Sequence, residues 1–297
     1  MKTQPHTTAP PALAGFAPLA DQYDGFICDL WGVLHDGVTA FPHALDCLER
    51  LKAQGKKIVI LSNAPRRAAE VEARMNEMGI RPDLYQGVMS SGEEAWRHLK
   101  RRPDAWYQGL GEACFHLGPD RDQGMRADLD YRFVEKLPEA DFLLNTGAHM
   151  SEDTLENYRH ELEEAAGYKL PMVCANPDLE VIRGGKREIC AGLLAEAYER
   201  LGGEVRYHGK PHVEIYASCF EMLGGVDRAR IAAVGDSLRT DIAGAQAAGV
   251  DGLFVVGGIH AEALGIEEGD LPAESDLNDL YRERGITPAA ALPVFRW

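Results

Sequence analysis

Short apolar runs, each cut off by a polar residue and followed by a helical pattern, limit what this chain can fold into. Gly25-Phe26-Ile27-Cys28 stops at Asp29, Ile58-Val59-Ile60-Leu61 stops at Ser62-Asn63, and Ile231-Ala232-Ala233-Val234 stops at Gly235-Asp236. Runs of this length without alternation are the mark of strands buried on both faces, as in parallel sheets. The helical patterns between them have recognisable ends. Pro42 opens one that carries Leu45, Leu48 and Leu51 and closes at Gly55. A second runs from Pro65 to Met78, with Gly79 in the C-terminal capping place, and a third from Asp241 to Ala248 before Gly249. Leu253-Phe254-Val255-Val256 is a further strand. Strand and helix alternating with short joints predict an α/β fold with a Rossmann-like parallel sheet.

The middle of the chain has an alternation of its own. A helix-like stretch at 93–100 precedes apolar runs around Phe115 and at Phe142-Leu143-Leu144. A helix-like stretch at 152–166 precedes Met172-Val173-Cys174, and a helix is expected from about Arg187 to Leu201. This predicts a second α/β domain inserted into the first. The expected division is a flexible tail at 1–20, a core at 21–91 and 205–297, and an inserted α/β cap at 92–204.

Charge narrows the partners. Lysine and arginine number 31 against 47 aspartates and glutamates, a formal charge of −16. Such a chain is repelled by nucleic acid and by anionic membrane surfaces, so neither is an expected partner. An anionic small molecule stays compatible with it, because cations or a bound metal can reverse the field locally. The six cysteines (Cys28, Cys47, Cys114, Cys174, Cys190, Cys219) are scattered, which suits a reducing cytoplasm rather than a zinc site or a disulfide framework. No run of about 18 apolar residues suggests a membrane span.

Residues just past the carboxyl ends of parallel strands collect at one edge of the sheet, where ligands bind. Asp29, Ser62, Lys210 (in His208-Gly209-Lys210-Pro211) and Gly235-Asp236 with Asp241 fall at such places. Carboxylates, a hydroxyl and a lysine together suit a hard cation and a phosphate. A P-loop signature is missing, and Gly109-Leu110-Gly111 is too short for a dinucleotide fingerprint.

Asp29-Leu30-Trp31-Gly32-Val33-Leu34, Leu61-Ser62-Asn63, Gly209-Lys210-Pro211 and Gly235-Asp236-Ser237-Leu238-Arg239-Thr240-Asp241 resemble the four ordered motifs of the haloacid dehalogenase superfamily. The long insert, with Asn176-Pro177-Asp178, is similar to the large cap of its class IIA phosphatases. The resemblance covers residues 21–260 and implies a Mg²⁺-dependent hydrolysis of a small phosphorylated metabolite, such as a sugar phosphate or a phosphoglycolate-like acid. Asp29 would be the nucleophile and form an aspartyl-phosphate. Lys210, Ser62 and Asn63 would bind the phosphoryl group. Asp29, the Trp31 carbonyl and Asp236 would hold the metal, with Asp241 in support. A homodimer is compatible with this class.

Trp31 departs from the family pattern, which has an acid–base aspartate at that position. Loss of such a group removes about 10²–10⁴-fold in rate. His35 or Asp36, or a residue swung in by the cap, is expected to replace it, unless the substrate has a good leaving group. The alternative is a protein that holds a phosphorylated ligand with reduced or lost turnover. Lys186 and Arg187 are either a greeting site for a substrate anion or solvated surface charges, and His208 is a loop residue.

Overall fold

The computed structural model describes residues 10–267 and 269–297. Two compact units divide the chain: the first holds the residues up to Ile60, Asp83–Gln86 and Phe220–Trp297, the second Leu61–Pro82 and Gly87–Cys219. In chain order the strands are β1 Gly25–Cys28, β2 Lys57–Ser62, β3 Gly87–Ser90, β4 Ala113–Leu117, β5 Arg132–Val134, β6 Phe142–Asn145, β7 Met172–Cys174, β8 Glu180–Arg183, β9 Lys186–Ile189, β10 Val205–Tyr207, β11 Ile231–Gly235, β12 Asp251–Val255 and β13 Ala290–Leu292. The architecture is α/β, a Rossmann-like parallel sheet with an inserted α/β unit.

In the first unit the strands lie in the order β13-β12-β11-β1-β2, all parallel. Every residue of β1 and β11 is buried, which is why their sequences lack alternation. Cys28 is in register with Val234 on one side and Ile60 on the other. The helix Pro42–Ala53 buries Ala44, Cys47, Leu48 and Leu51, and places Arg50 and Lys52 in its last turn, where they complement the negative end of its dipole. The helix Glu274–Arg284 sets Leu277 and Tyr281 against Leu238, Ile242, Phe254 and Val256. From β1 the chain moves to β2 on one side, then returns to β11 on the other. That reversal opens a crevice at the carboxyl ends of β1 and β11.

The expected flexible tail needs correction at its described end. Its first nine residues lie outside the described part, but residues 10–20 are packed. Leu13 donates its N–H to Ala291 O, Phe16 N–H reaches Arg296 O, and the fully buried Phe16 ring meets Phe26 and Phe295 edge to face. Pro and Ala composition suggested a tail; Phe16 and Leu19 are the apolar anchors that override it.

The second unit has a parallel sheet in the order β10-β7-β6-β4-β5. One face packs Leu143 and Met172 against Leu162, Leu194 and Tyr198 of the helices Arg159–Gly167 and Ala191–Arg200. The other packs Phe142, Leu144 and Val173 against Ala95 and Leu99 of the helix Ser91–Arg101, with Met125. β8 and β9 form a separate antiparallel hairpin across Gly184 and Gly185, whose φ values are +52° and +77°. The helix expected from Arg187 therefore begins later, at Ala191, because these two glycines turn the chain and Lys186–Ile189 pairs with Glu180–Arg183.

Candidate active site

In the first unit the crevice between β1 and β11 holds three buried carboxylates. Asp29 follows β1 directly, its N–H bound to Val234 O at 2.9 Å. Asp236 follows β11, and Asp241 lies in the π-turn Leu238–Ile242 that Ser237 starts by accepting Thr240 N–H. One ligand oxygen from each of the three lies within 4.8 Å of the other two. Asp29, Asp236 and Asp241 are only 7%, 8% and 3% exposed. Three carboxylates this close and this dry repel one another strongly unless a cation sits among them, and an all-oxygen donor set suits a hard divalent ion.

Backbone groups fix how these carboxylates point. Asp236 Oδ2 accepts Ile259 N–H at 2.8 Å, and a Cβ at either Gly32 or Gly258 would strike the Asp236 carboxylate. Asp241 Oδ2 accepts Ser237 N–H at 3.0 Å, and a side chain at Gly235 would overlap Asp241. Gly32, with φ +71°, needs the absence of a Cβ on both counts. Sequence reasoning missed Gly258, Ile259 and His260. The signal available was a glycine pair just after an apolar strand, Gly257-Gly258. His260 is half-buried, with its ring edge to face on Phe254; burial first and Arg284 next push its pKa down to about 4.

Ser62, Asn63 and Lys210 belong to the second unit, all buried. Asn63 grips the backbone of Lys210 at two points: Oδ1 accepts Lys210 N–H at 2.8 Å and Nδ2 donates to Lys210 O at 3.0 Å. Nδ2 also donates to Asp178 Oδ1 at 2.9 Å. Both amide protons are thus committed, so the side chain positions Lys210, and any contact of Asn63 to phosphate falls to its backbone. Ser62 Oγ accepts Ala64 N–H at 3.2 Å.

A second set of bonds holds the same lysine loop. Glu94 Oε2 accepts Gly209 N–H at 3.0 Å and lies 3.2 Å from His208 Nδ1. His208 Nε2 meets the Tyr107 hydroxyl. Burial holds the His208 pKa below its ordinary value against the pull of Glu94. The neutral imidazole donates from Nδ1 to Glu94 and accepts from Tyr107 at Nε2. His208, expected to be a loop residue, is a buried part of this relay.

Trp31 is half-buried, edge to face on His35 at 5.2 Å, and its indole fills the space a Cβ at Gly37 would need. His35 Nδ1 accepts Gly37 N–H at 2.9 Å, which puts the ring proton on Nε2 in the neutral form. Asp36 Oδ1 accepts the N–H groups of Val38 at 2.8 Å and Thr39 at 2.7 Å. Partial burial opposes ionisation of Asp36, yet these N–H groups outweigh it and hold the carboxyl below its usual range.

A crevice of carboxylates at the reversal of a parallel sheet, in a chain with an inserted α/β unit, is an arrangement suited to a metal-assisted hydrolase of the α/β class. Residues 26–132 match the family model of haloacid dehalogenase-like hydrolases, and residues 207–280 match a second, HAD-hydrolase-like model. A 4-nitrophenylphosphatase of Schizosaccharomyces pombe is 28% identical over 276 residues, covering 86% of this chain and 91% of that one. Chronophin of Bos taurus is 30% identical over 268 residues, covering 84% and 86%. The crystal structure of a haloacid dehalogenase-like hydrolase from Brucella suis superposes with a TM-score of 0.80 at 34% identity, covering 96% of this chain and 99% of that one. The chain belongs to the haloacid dehalogenase-like hydrolases. Among its described residues no helix is long and apolar enough to cross a membrane.

Proposed function

We propose that the protein is a Mg²⁺-dependent phosphatase that hydrolyses a small phosphorylated metabolite through an aspartyl-phosphate on Asp29. The buried trio of Asp29, Asp236 and Asp241 carries this reading. Bound by Asp29, the Trp31 carbonyl and Asp236, with Asp241 in support, Mg²⁺ would neutralise the repulsion between carboxylate and phosphate. The Asp29 oxygen attacks phosphorus as the bond to the ester oxygen breaks. Water then displaces phosphate and restores the carboxylate. Lys210 and Ser62 take the phosphate-binding roles that the ordered motifs give them, and the compact ammonium charge suits a phosphoryl oxygen. The matched relatives include phosphatases by name, which supports a phosphate ester as substrate.

For the missing acid, His35 is the better of the two replacements. Histidine exchanges a proton between imidazolium and imidazole near neutral pH, whereas Asp36 is kept ionised by its own turn. The whole reading is tested by phosphate release from a panel of esters with Mg²⁺. Asp29→Asn is expected to lower release by more than about a thousandfold while the protein stays folded. Unchanged release in the variant would remove Asp29 from the mechanism. Binding of phosphate esters without any release by the wild type would point to the ligand-holding alternative that Trp31 suggests.

A further inference from the structure

The turn Asn176-Pro177-Asp178 lies just past β7 in the second unit, which also holds Asn63, Gly209 and Lys210. Its own bonds set its shape. Asn176 Oδ1 accepts Asp178 N–H at 2.8 Å, the local turn that asparagine favours, and Asp178 O accepts Gly192 N–H at 3.0 Å. A Cβ at Gly192 would strike Pro177 O and Asp178 O, so the helix Ala191–Arg200 reaches this turn only because a glycine stands there. Leu179 O accepts Cys190 N–H at 2.9 Å and closes the base of the hairpin β8–β9. Asp178 therefore projects from a braced piece of backbone.

From that place its Oδ1 accepts Asn63 Nδ2 at 2.9 Å. The same amide exchanges two bonds with the Lys210 backbone, taking its N–H at 2.8 Å and giving a proton to its carbonyl at 3.0 Å. An amide nitrogen has two protons, and here one goes to Lys210 O and the other to Asp178. Lys210 cannot both be held by Asn63 and serve as its anchor. The anchor has to come from elsewhere, and Asp178 supplies it with a bond that its charge strengthens.

The loops concerned approach closely. Gly209 has φ +105°, and a Cβ there would meet Asn63 Oδ1, Ser91 Cβ and Pro177 Cδ. Ser91 Oγ donates to Ala175 O at 2.6 Å and lies 3.1 Å from Ala64 O, so the segments after β2 and β7 are tied a second time. Asn63 and Lys210 are only 4% and 2% exposed, which makes water a poor substitute for a lost partner.

We propose that Asp178 is a positioning residue for Lys210, fixing the backbone of that lysine through the Asn63 amide. Its effect on rate rests on the phosphatase reading, which gives Lys210 to the phosphoryl group; the bonds themselves lie within the second unit.

The test compares Asp178→Leu, which keeps the shape and removes the acceptor, with Asp178→Asn, which keeps an acceptor oxygen. On a panel of phosphate esters with Mg²⁺, Asp178→Leu should lower kcat/KM about tenfold and Asp178→Asn by no more than about threefold. The factor should be the same for every ester, because the phosphoryl group is common to all of them. A direct contact of Asp178 to the alcohol part would instead give a factor that changes with the ester, and that result overturns the proposal. So does unchanged activity in Asp178→Leu, or an equal loss in the two variants. Amide hydrogen exchange read by NMR needs no turnover. The Lys210 N–H should exchange about tenfold faster in Asp178→Leu and near the wild-type rate in Asp178→Asn, while the Gly209 N–H, held by Glu94, keeps its rate in both. In an Asn63→Ala background, Asp178→Leu should change Lys210 exchange no further. If the wild type hydrolyses none of the esters, the phosphatase reading fails and exchange decides the positioning. Faster exchange at Lys210 in Asp178→Leu alone supports it; any other pattern overturns it.

Discussion

By the motif resemblance Trp31 stands where a family member would carry its acid–base aspartate, and its surroundings show what the indole does instead. Its ring edge rests on His35, and the backbone at Gly37 passes so close that only glycine fits. The loop from Trp31 to Gly37 is thereby shaped around an aromatic plug, and His35 is buried with a fixed tautomer. Replacing the plug with a carboxylate separates two accounts of the chemistry. Trp31→Asp should raise kcat for hydroxyethyl phosphate, whose alkoxide must be protonated as it leaves, more than for nitrophenyl phosphate, whose phenolate leaves readily. A gain in that ratio of about tenfold, within the about 10²–10⁴ that a general acid supplies, identifies proton transfer as the step the wild type does slowly. An unmoved ratio in steady-state kinetics means that the proton already has a source, with His35 the candidate to test next.

The helix Ser91–Arg101 illustrates how an element can serve two ends at once. Ser90 caps it by accepting Glu93 N–H at 3.0 Å, and one turn in, Glu94 holds Gly209 and His208. Glu94→Ala would leave the Gly209 N–H and the His208 Nδ1–H buried without their acceptor. The expected cost is on the order of 3 kcal/mol in urea unfolding, together with a lower kcat because the Lys210 loop loses a support. A variant with the wild-type unfolding midpoint would show that water replaces the carboxylate. None of this was legible in sequence. Glu93-Glu94 looks like an ordinary acidic first turn, and the partner of Glu94 lies 115 residues further on. β1, β2, β11 and β12 were legible because burial on both faces leaves them continuously apolar. The hairpin strand Lys186–Ile189 was not, since its charges alternate only relative to a partner strand that the sequence does not display. Asp29, Asp236 and Asp241 were legible as motif positions, whereas the reversal that gathers them depends on strand order, a property of pairing rather than of any segment.

At the scale of the whole molecule, each unit carries one sheet reversal. The first gathers three carboxylates that call for a cation, and the second holds the bonded chain of Arg126, His116, Thr146, Asp122 and Arg66. Histidines with lowered pKa values lie in both units: the half-buried His260 in the first, the buried His116 and His208 in the second. Each has a folded pKa below its unfolded value, so the unfolded chain binds more protons as the solution turns acid. Their contribution to stability is therefore complete above about pH 6.5 and is lost as pH falls below it. For His116, which burial and Arg126 push down to about 4, the loss runs over the whole interval from the unfolded value to that one. Asp122, raised by burial, works in the other direction, so the overall slope does not isolate any one group. Comparison with His116→Asn does, because the amide does not titrate. Between about pH 7.5 and about pH 5 the wild type should lose about 2 kcal/mol more unfolding free energy than the variant, the result of one proton taken up over about 1.5 units. Equal slopes in urea denaturation at the two pH values would mean that His116 is protonated in the native state. Arg126 Nε would then have no acceptor at His116 Nδ1, and that bond would be absent.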